Sequence, residues 1–351
     1  MFKTSVISVV AILCLLSCTP EPQLEIENSA PIPGSNTIRM ASAGVGYGGY
    51  VRISLWILND LLGQDPSLNL WLDFHTTGTK FRRGLLQLAD NQADIALVNT
   101  EGLAIMALRG RGLFDRPIPV RGIGNLGTGE WAVFAVDAKY EVHSFAELRE
   151  KRAPLTIVTG DRDDSASGFL VMELLRRHGI DPEEFLGWGG AFIHGGAGGF
   201  ATAELVSGRA DAVFQEAIIG PAIDALLEER PMNFLSVDPE VAEQIENEFG
   251  WPFVTVPANE YPNQDAPFLA PNFTGWLICL REDMDADLAY RLAEIVVQQH
   301  EDLEQTRNYG SVTFSPLAPY SIDPNEVAQM AIPLHPGAQR YYEENGLLGN
   351  N

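Results

Sequence analysis

From Asn36 onward the chain alternates short apolar runs with stretches whose apolar residues return every three to four positions. NTIRMAS predicts a strand, after which Tyr50, Ile53, Ile57, Leu58 and Leu61 recur at helical spacing. LNLWLDF reads as a second strand and FRRGLLQLAD as a short helix. ADIALVNT is a nearly unbroken apolar run, the pattern of a strand buried on both faces of a parallel sheet. WAVFAVD follows as another strand. The alternation then restarts: strand LTIVTG, helix 165–178, strand AFIHG, helix 200–207, strand ADAVFQ, helix 221–229. Near the end FTGWLICL predicts a strand and 288–303 a single long amphipathic helix. For the helix from Ser165, Asp164 or Ser165 can serve as cap, Arg176, Arg177 and His178 fill the last turn, and Gly179 follows it.

Two successive α/β runs predict two doubly wound lobes. NQADIALVN and SGRADAVFQ share a helix–turn–Ala-Asp–strand layout, one in each half, as a bilobed α/β binding protein would show. Lobe 1 is expected over 37–136 and 274–351, and lobe 2 over 137–273, from where WAVFAVD and FTGWLICL could cross between them.

The N-terminus bears on compartment. Lys3 precedes an apolar run that closes on LLSC and is followed at once by TPEPQ, the layout of a signal peptide over 1–17. Leu15-Leu16-Ser17-Cys18 resembles a bacterial lipobox, with Cys18 as the lipidated first mature residue; an ordinary signal peptide with a chance cysteine is the alternative. Residues 18–36 are Pro-rich, polar and aperiodic, and read as a flexible tether. The body is therefore expected outside the cytoplasm, and under the lipobox reading anchored to membrane by lipid. With Cys14 removed, Cys279 is left in the body, in the apolar context WLICL of a small buried hydrophobe. The net charge of −24 argues against binding nucleic acid or an anionic lipid surface electrostatically.

Residues 40–50, MASAGVGYGGY, contain G-x-G-x-x-G at Gly44, Gly46 and Gly49, and Asp73 lies near the distance of a ribose-binding acid. Dinucleotide cofactors are made and kept in the cytoplasm, however, and Asp73 sits within an alternating strand, so no cofactor is expected. Two readings of the loop stand: amide groups and a helix N-terminus beside an anionic ligand group, with Ser42, Gly44 and Tyr47 in the site, or a tight turn without ligand contact. Thr77 and Asn99 end strands on the carboxyl side of a parallel sheet, where ligands sit, with plain turn-forming residues as the alternative. Ser165 and Ser167 offer hydroxyl donors in the second lobe, with plain N-capping as the alternative. Glu216 follows ADAVF at a strand end and is expected to face a positive or hydrogen-bond-donating part of a ligand, with Gln215 pointing the other way; a surface glutamate is the alternative. Tyr47, Tyr50, Trp131 and Trp276 are candidate aromatic walls, with a core role as the alternative for Trp276.

No catalytic constellation is present in the sequence. DSASG lacks the first glycine of a nucleophile elbow, and His75, His143, His178, His194, His300 and His335 show no metal-ligand spacing. An enzyme is not expected. A ligand-sensing module for a membrane signalling receptor and an exported hydrolase are the alternatives to a binding protein.

The chain resembles the TAXI family, extracytoplasmic solute-binding proteins of TRAP transporters. IPLHPGAQRYYEENG is similar to that family's terminal motif. SAGVGYGGY, TTGTKFRRGLLQLADNQADIALVN, SFAELREKR, SGRADAVF and VPANEYP follow in the family's order. The resemblance implies two lobes joined by crossing strands, a type II periplasmic-binding-protein-like arrangement with a small organic solute of the carboxylate or amino acid class in the cleft. It also implies delivery to TRAP permease membrane subunits. Ser42, Ala43, Val45 and Tyr47 depart from the family's first loop, and Gln215 and Glu216 replace its usual small or apolar residues.

Overall fold

The computed structural model describes residues 36–43, 48–75, 81–127, 129–195, 198–216, 221–308 and 322–348. Cys18, Gly44, Tyr47 and Thr77 lie outside them. Contacts gather Asn36–Asn351 into one unit.

The first half begins β1 (Thr37–Ala43), α1 (Gly48–Gln64), β2 (Asn69–His75), α2 (Phe81–Ala89), β3 (Ile95–Asn99), α3 (Glu101–Arg109) and β4 (Val120–Asn125). β5 (Ala132–Asp137) and α4 (Phe145–Lys151) lead into β6 (Thr156–Thr159), α5 (Ala166–Arg177), α6 (Pro182–Gly187), β7 (Ala191–His194), α7 (Gly198–Val206) and β8 (Ala212–Glu216). Then come α8 (Pro221–Glu229), β9 (Met232–Phe234), α9 (Pro239–Phe249), β10 (Phe253–Val256) and β11 (Phe268–Pro271). β12 (Trp276–Arg281), α10 (Ala286–Gln298), α11 (His300–Asn308) and α12 (Pro336–Glu344) complete the described elements.

Two five-stranded sheets result, ordered β2-β1-β3-β12-β4 and β7-β6-β8-β5-β9. The plan is the same in both. The first three strands of each half run parallel, and a strand from elsewhere in the chain inserts antiparallel beside the third: β12 against β3, β5 against β8. The α/β class expected from the alternation is therefore the observed one. β3 and β8 are buried along their whole lengths, as their apolar sequences require. Helix α2 presents Phe81, Gly84, Leu85 and Leu88 to the first sheet, an i, i+3, i+4, i+7 stripe. A side chain at Gly84 would touch the Cβ atoms of Ala41 and Ala96, so the helix packs directly on β1 and β3.

Two neighbouring segments join the sheets. One runs from Leu126 to Trp131 between β4 and β5, the other from Asn272 to Gly275 between β11 and β12. They are tied to each other: Phe273 N–H donates to the Glu130 carbonyl at 2.8 Å, and Trp131 and Asn272 form an antiparallel bridge. Where they meet β4 and β12, Leu126 N–H donates to the Trp276 carbonyl at 2.8 Å.

The long helix expected over 288–303 is instead two. Gln299 leaves helical geometry (φ −117°, ψ 24°) and α11 starts at the next residue. The break lets α11 lie on α1. Arg52 Nε donates to the Thr306 carbonyl at 2.9 Å, and Gln299 Nε2 donates to Asp60 Oδ1 at 3.0 Å.

Candidate functional site

In open α/β sheets the carboxyl ends of the parallel strands, at the point where strand order reverses, leave a crevice for ligands. Here that crevice lies beyond the ends of β1 and β3 in one sheet and of β6 and β8 in the other. Asn99 ends β3 and Glu216 ends β8. Their side chains meet: Asn99 Nδ2 donates to Glu216 Oε2 at 2.9 Å, with both residues buried. This bond joins the carboxyl edges of the two sheets.

The Glu216 carboxyl is pushed up to about 8, first by burial and then by the charge of Glu130; the Asn99 hydrogen bond opposes both. Glu130 is itself buried and lies in the crossing segment just before β5. Its position follows from the register, because Ala132 pairs directly with Glu216. No cationic side chain among the described residues pairs with Glu216. Its side-chain partner is the neutral Asn99 amide.

Two buried polar atoms beside this contact have no hydrogen-bond partner among the described residues: Asn99 Oδ1 and Trp276 Nε1. Trp276 is the direct cross-strand neighbour of Asn99, so the two side chains stand on the same face of the sheet. The Trp276 ring lies 3.8 Å, centroid to centroid, from Tyr50 in the first turn of α1. Tyr50 in turn meets Phe81, at the start of α2, edge-on at 4.8 Å. Trp131 is engaged elsewhere, its Nε1 donating to the Tyr261 hydroxyl at 2.9 Å.

The remaining sequence candidates divide by what their polar atoms do. Ser42, at the end of β1, is buried and accepts from the Ser54 hydroxyl of α1 at 2.9 Å, a strand-to-helix tie. Ser165 caps α5: its hydroxyl accepts from Gly168 N–H at 3.0 Å and donates to the Asp161 carbonyl at 2.9 Å. Ser167 lies buried 3.4 Å from it, oxygen to oxygen. Both hydroxyls close around Gly160, where a Cβ would come within 2.4 Å or less of each. Gln215 is fully buried and turns back on the backbone, accepting from Glu216 N–H at 3.0 Å. Alternation along β8 thus sends Gln215 and Glu216 to opposite faces. Glu130 and the orphaned Thr159 hydroxyl at the end of β6 are the polar groups of this region that the sequence reading missed.

Elsewhere the polar chemistry is structural. A 270 Å³ hollow lies at the opposite edge of the first sheet, lined in part by Asn91, Ile118, Val120 and Arg281. Its Arg281, with Arg39, clamps the buried Asp94 at 2.8 and 2.7 Å. Cys279 is a free, fully buried thiol pushed up to about 12 by burial, too high to be a nucleophile. No group of three His, Cys, Asp or Glu side chains among the described residues is placed to hold a metal ion. No described helix is long and apolar enough to cross a membrane.

Residues 83–346 match the sequence profile of the NMT1-like family. The chain belongs to that family. Comparison with curated proteins finds no match. Among solved structures, this NMT1-like protein is similar to one from Xanthomonas citri bound to chloride ion, at 15% identity over 89% of this chain and 98% of the other, with a TM-score of 0.46. It is also similar to the periplasmic aliphatic sulphonate binding protein of Escherichia coli, at 13% identity over 81% and 80% of the two chains, with a TM-score of 0.40. A third is a binding protein component of an ABC phosphonate transporter from Pseudomonas aeruginosa, at 12% identity over 77% and 78%, with a TM-score of 0.46.

Proposed function

We propose that this protein is an extracytoplasmic solute-binding receptor. It captures a small polar organic solute between its two sheets and presents it to membrane permease subunits. The observation that carries this reading is the buried Asn99–Glu216 contact between the carboxyl edges of two sheets that are joined by a pair of adjacent crossing segments. Segments of that kind permit hinge closure, and residues meeting across the gap are the ones a trapped solute would touch. Membership of the NMT1-like family supports the same class.

The finer reading is a TAXI receptor of a TRAP transporter, supported by the terminal stretch IPLHPGAQRYYEENG. In the structure this stretch serves the fold: His335 Nδ1 accepts from Gly337 N–H at 3.2 Å, and Tyr342 donates its hydroxyl to the Ile123 carbonyl at 2.7 Å. Lobe 1 is taken as 37–136 with 274–351 and lobe 2 as 137–273. Ser42, Gly44, Tyr47, Thr77, Asn99, Ser167, Gln215 and Glu216 are the candidate ligand-facing set, with Ser165 assigned to the α5 cap, and Cys18 is the proposed lipid anchor. Closure works as a population shift, because the solute favours the closed form by contacting both lobes at once.

The test is a thermal-shift screen of amino acids, 2-oxo acids and dicarboxylates, followed by scattering measurements of compaction. A stabilising solute that shrinks the particle and is recovered unchanged is the expected result. Turnover of that solute by catalytic amounts of protein would overturn the reading.

A further inference from the structure

Glu216 is a buried acid whose partner is a neutral amide, and a second buried acid, Glu130, adds its charge from the crossing segment. Desolvating one carboxylate without a compensating cation costs several kcal/mol, and a like charge nearby adds to that cost. The same buried spot holds another acceptor without a donor, Asn99 Oδ1; its amide is already directed at Glu216 through Nδ2. The nearest aromatic surface is the Trp276–Tyr50 stack on the face that carries Asn99. An acceptor lacking a donor, a Glu216 side chain with no cationic partner among the described residues, and a ring face are together the complement of a protonated nitrogen.

We propose that the solute carries a protonated amine, held between the Glu216 carboxylate and Asn99 Oδ1 and bounded by Trp276. This rests on the receptor reading above and narrows it. The amine would bond to both sheets at once, Asn99 from the first and Glu216 from the second, so the cation itself would be what holds the cleft shut. Glu130 acts as a positioning residue: its charge raises the attraction for a cation and makes closure without one unfavourable.

The experiment uses the full folded body and matched nitrogen and oxygen probes measured by calorimetry at pH 8. The pairs are 1,4-diaminobutane with 1,4-butanediol, ethanolamine with ethylene glycol, and glutamate with 2-oxoglutarate. At least one amine is expected to bind ten times more tightly than its oxygen partner. Glu216→Gln should weaken that amine at least tenfold while melting no lower than the parent, and Glu130→Gln should weaken it less. If an oxygen probe binds as tightly as its amine partner, or if Glu216→Gln leaves amine affinity unchanged, the proposal is wrong and the receptor reading survives. If no probe of either kind binds, both fail.

Discussion

Replacing Glu216 by Gln should make the ligand-free protein more stable, and the gain should grow with pH. The group's folded value lies near 8 against an ordinary 4.5. Below the unfolded value both states are protonated and the residue has no electrostatic effect. Above it the unfolded chain ionises freely, whereas the folded protein must keep the proton or bury the charge, so stability falls as pH rises and levels off only past the folded value. The slope is roughly 1.4 kcal/mol per pH unit between the two values, hence about 3 kcal/mol by pH 7 and about 5 kcal/mol above pH 8. Facing the carboxyl are Glu130 from the crossing segment, which deepens the effect, and Asn99 from β3, which moderates it. Gln stays neutral throughout and can still accept from Asn99 Nδ2. Parent and variant should therefore melt together near pH 4 and separate by about 6 °C at pH 7, taking about 2 °C per kcal/mol for a chain of this size. The parent has a second route to relief, opening the cleft so that Glu216 regains water. Small-angle scattering at pH 5 and pH 8 reads it as expansion in the parent and none in the variant. A melting difference that is constant from pH 5 to 9, with no pH-dependent expansion of the parent, would refute the reasoning.

Two further substitutions test the packing of α12 and the cap of α5. At Gly337 a Cβ would lie 1.9 Å from the Ala286 carbonyl oxygen, so Gly337→Ala should push α12 off α10 and lower stability by about 3 kcal/mol, read as a lower urea midpoint; an unchanged midpoint would contradict the observed helix packing. Ser165→Ala should cost about 1 kcal/mol through loss of the α5 cap, with affinity for the solute found in the screen unchanged within twofold. A tenfold affinity loss would instead make that hydroxyl a ligand contact.

The parts of the fold that could be read in the sequence are those where burial leaves a one-dimensional trace. β3 and β8 are apolar runs because both their faces are covered, and α2 shows its stripe because one face packs on β1 and β3. β4 left no such trace. Its sequence VRGIGN alternates in glycine, and the reason lies in three dimensions: a Cβ on Gly122 would meet Met330 Sδ at 2.0 Å, and one on Gly124 would meet Val327 at 2.7 Å. The chain near the C-terminus lies directly on that strand, and a local pattern cannot announce a partner two hundred residues away. Helix α9 is different. Asp238 and Pro239 mark its start, Gly250 its end, and Val241, Ala242, Ile245 and Phe249 its buried face, so its signal was present and went unread. The break between α10 and α11 had none, since it comes from α11 turning to meet α1.

The candidate site divides along the same line. Asn99 and Glu216 follow from one rule, that polar residues ending parallel strands face the crevice, and the rule needs only the strand ends. Glu130 does not follow from it. It stands in an aperiodic crossing segment, and one acid among 47 carries no weight by itself. What singles it out is the shared order of the sheets. In each, the strand arriving from the other half of the chain lies beside the third parallel strand and runs against it, so its first residue pairs with the last residue of that strand. In the first sheet this places Trp276 opposite Asn99, and in the second it places Ala132 opposite Glu216. The first residue of each crossing strand and those just ahead of it are therefore delivered to the crevice by topology alone. Glu130 from one side and Trp276 from the other are what that geometry brings to the Asn99–Glu216 contact, a second negative charge and an aromatic face. Once the swap of β5 and β12 is known, the segment before each becomes as informative about the ligand as the strand ends themselves.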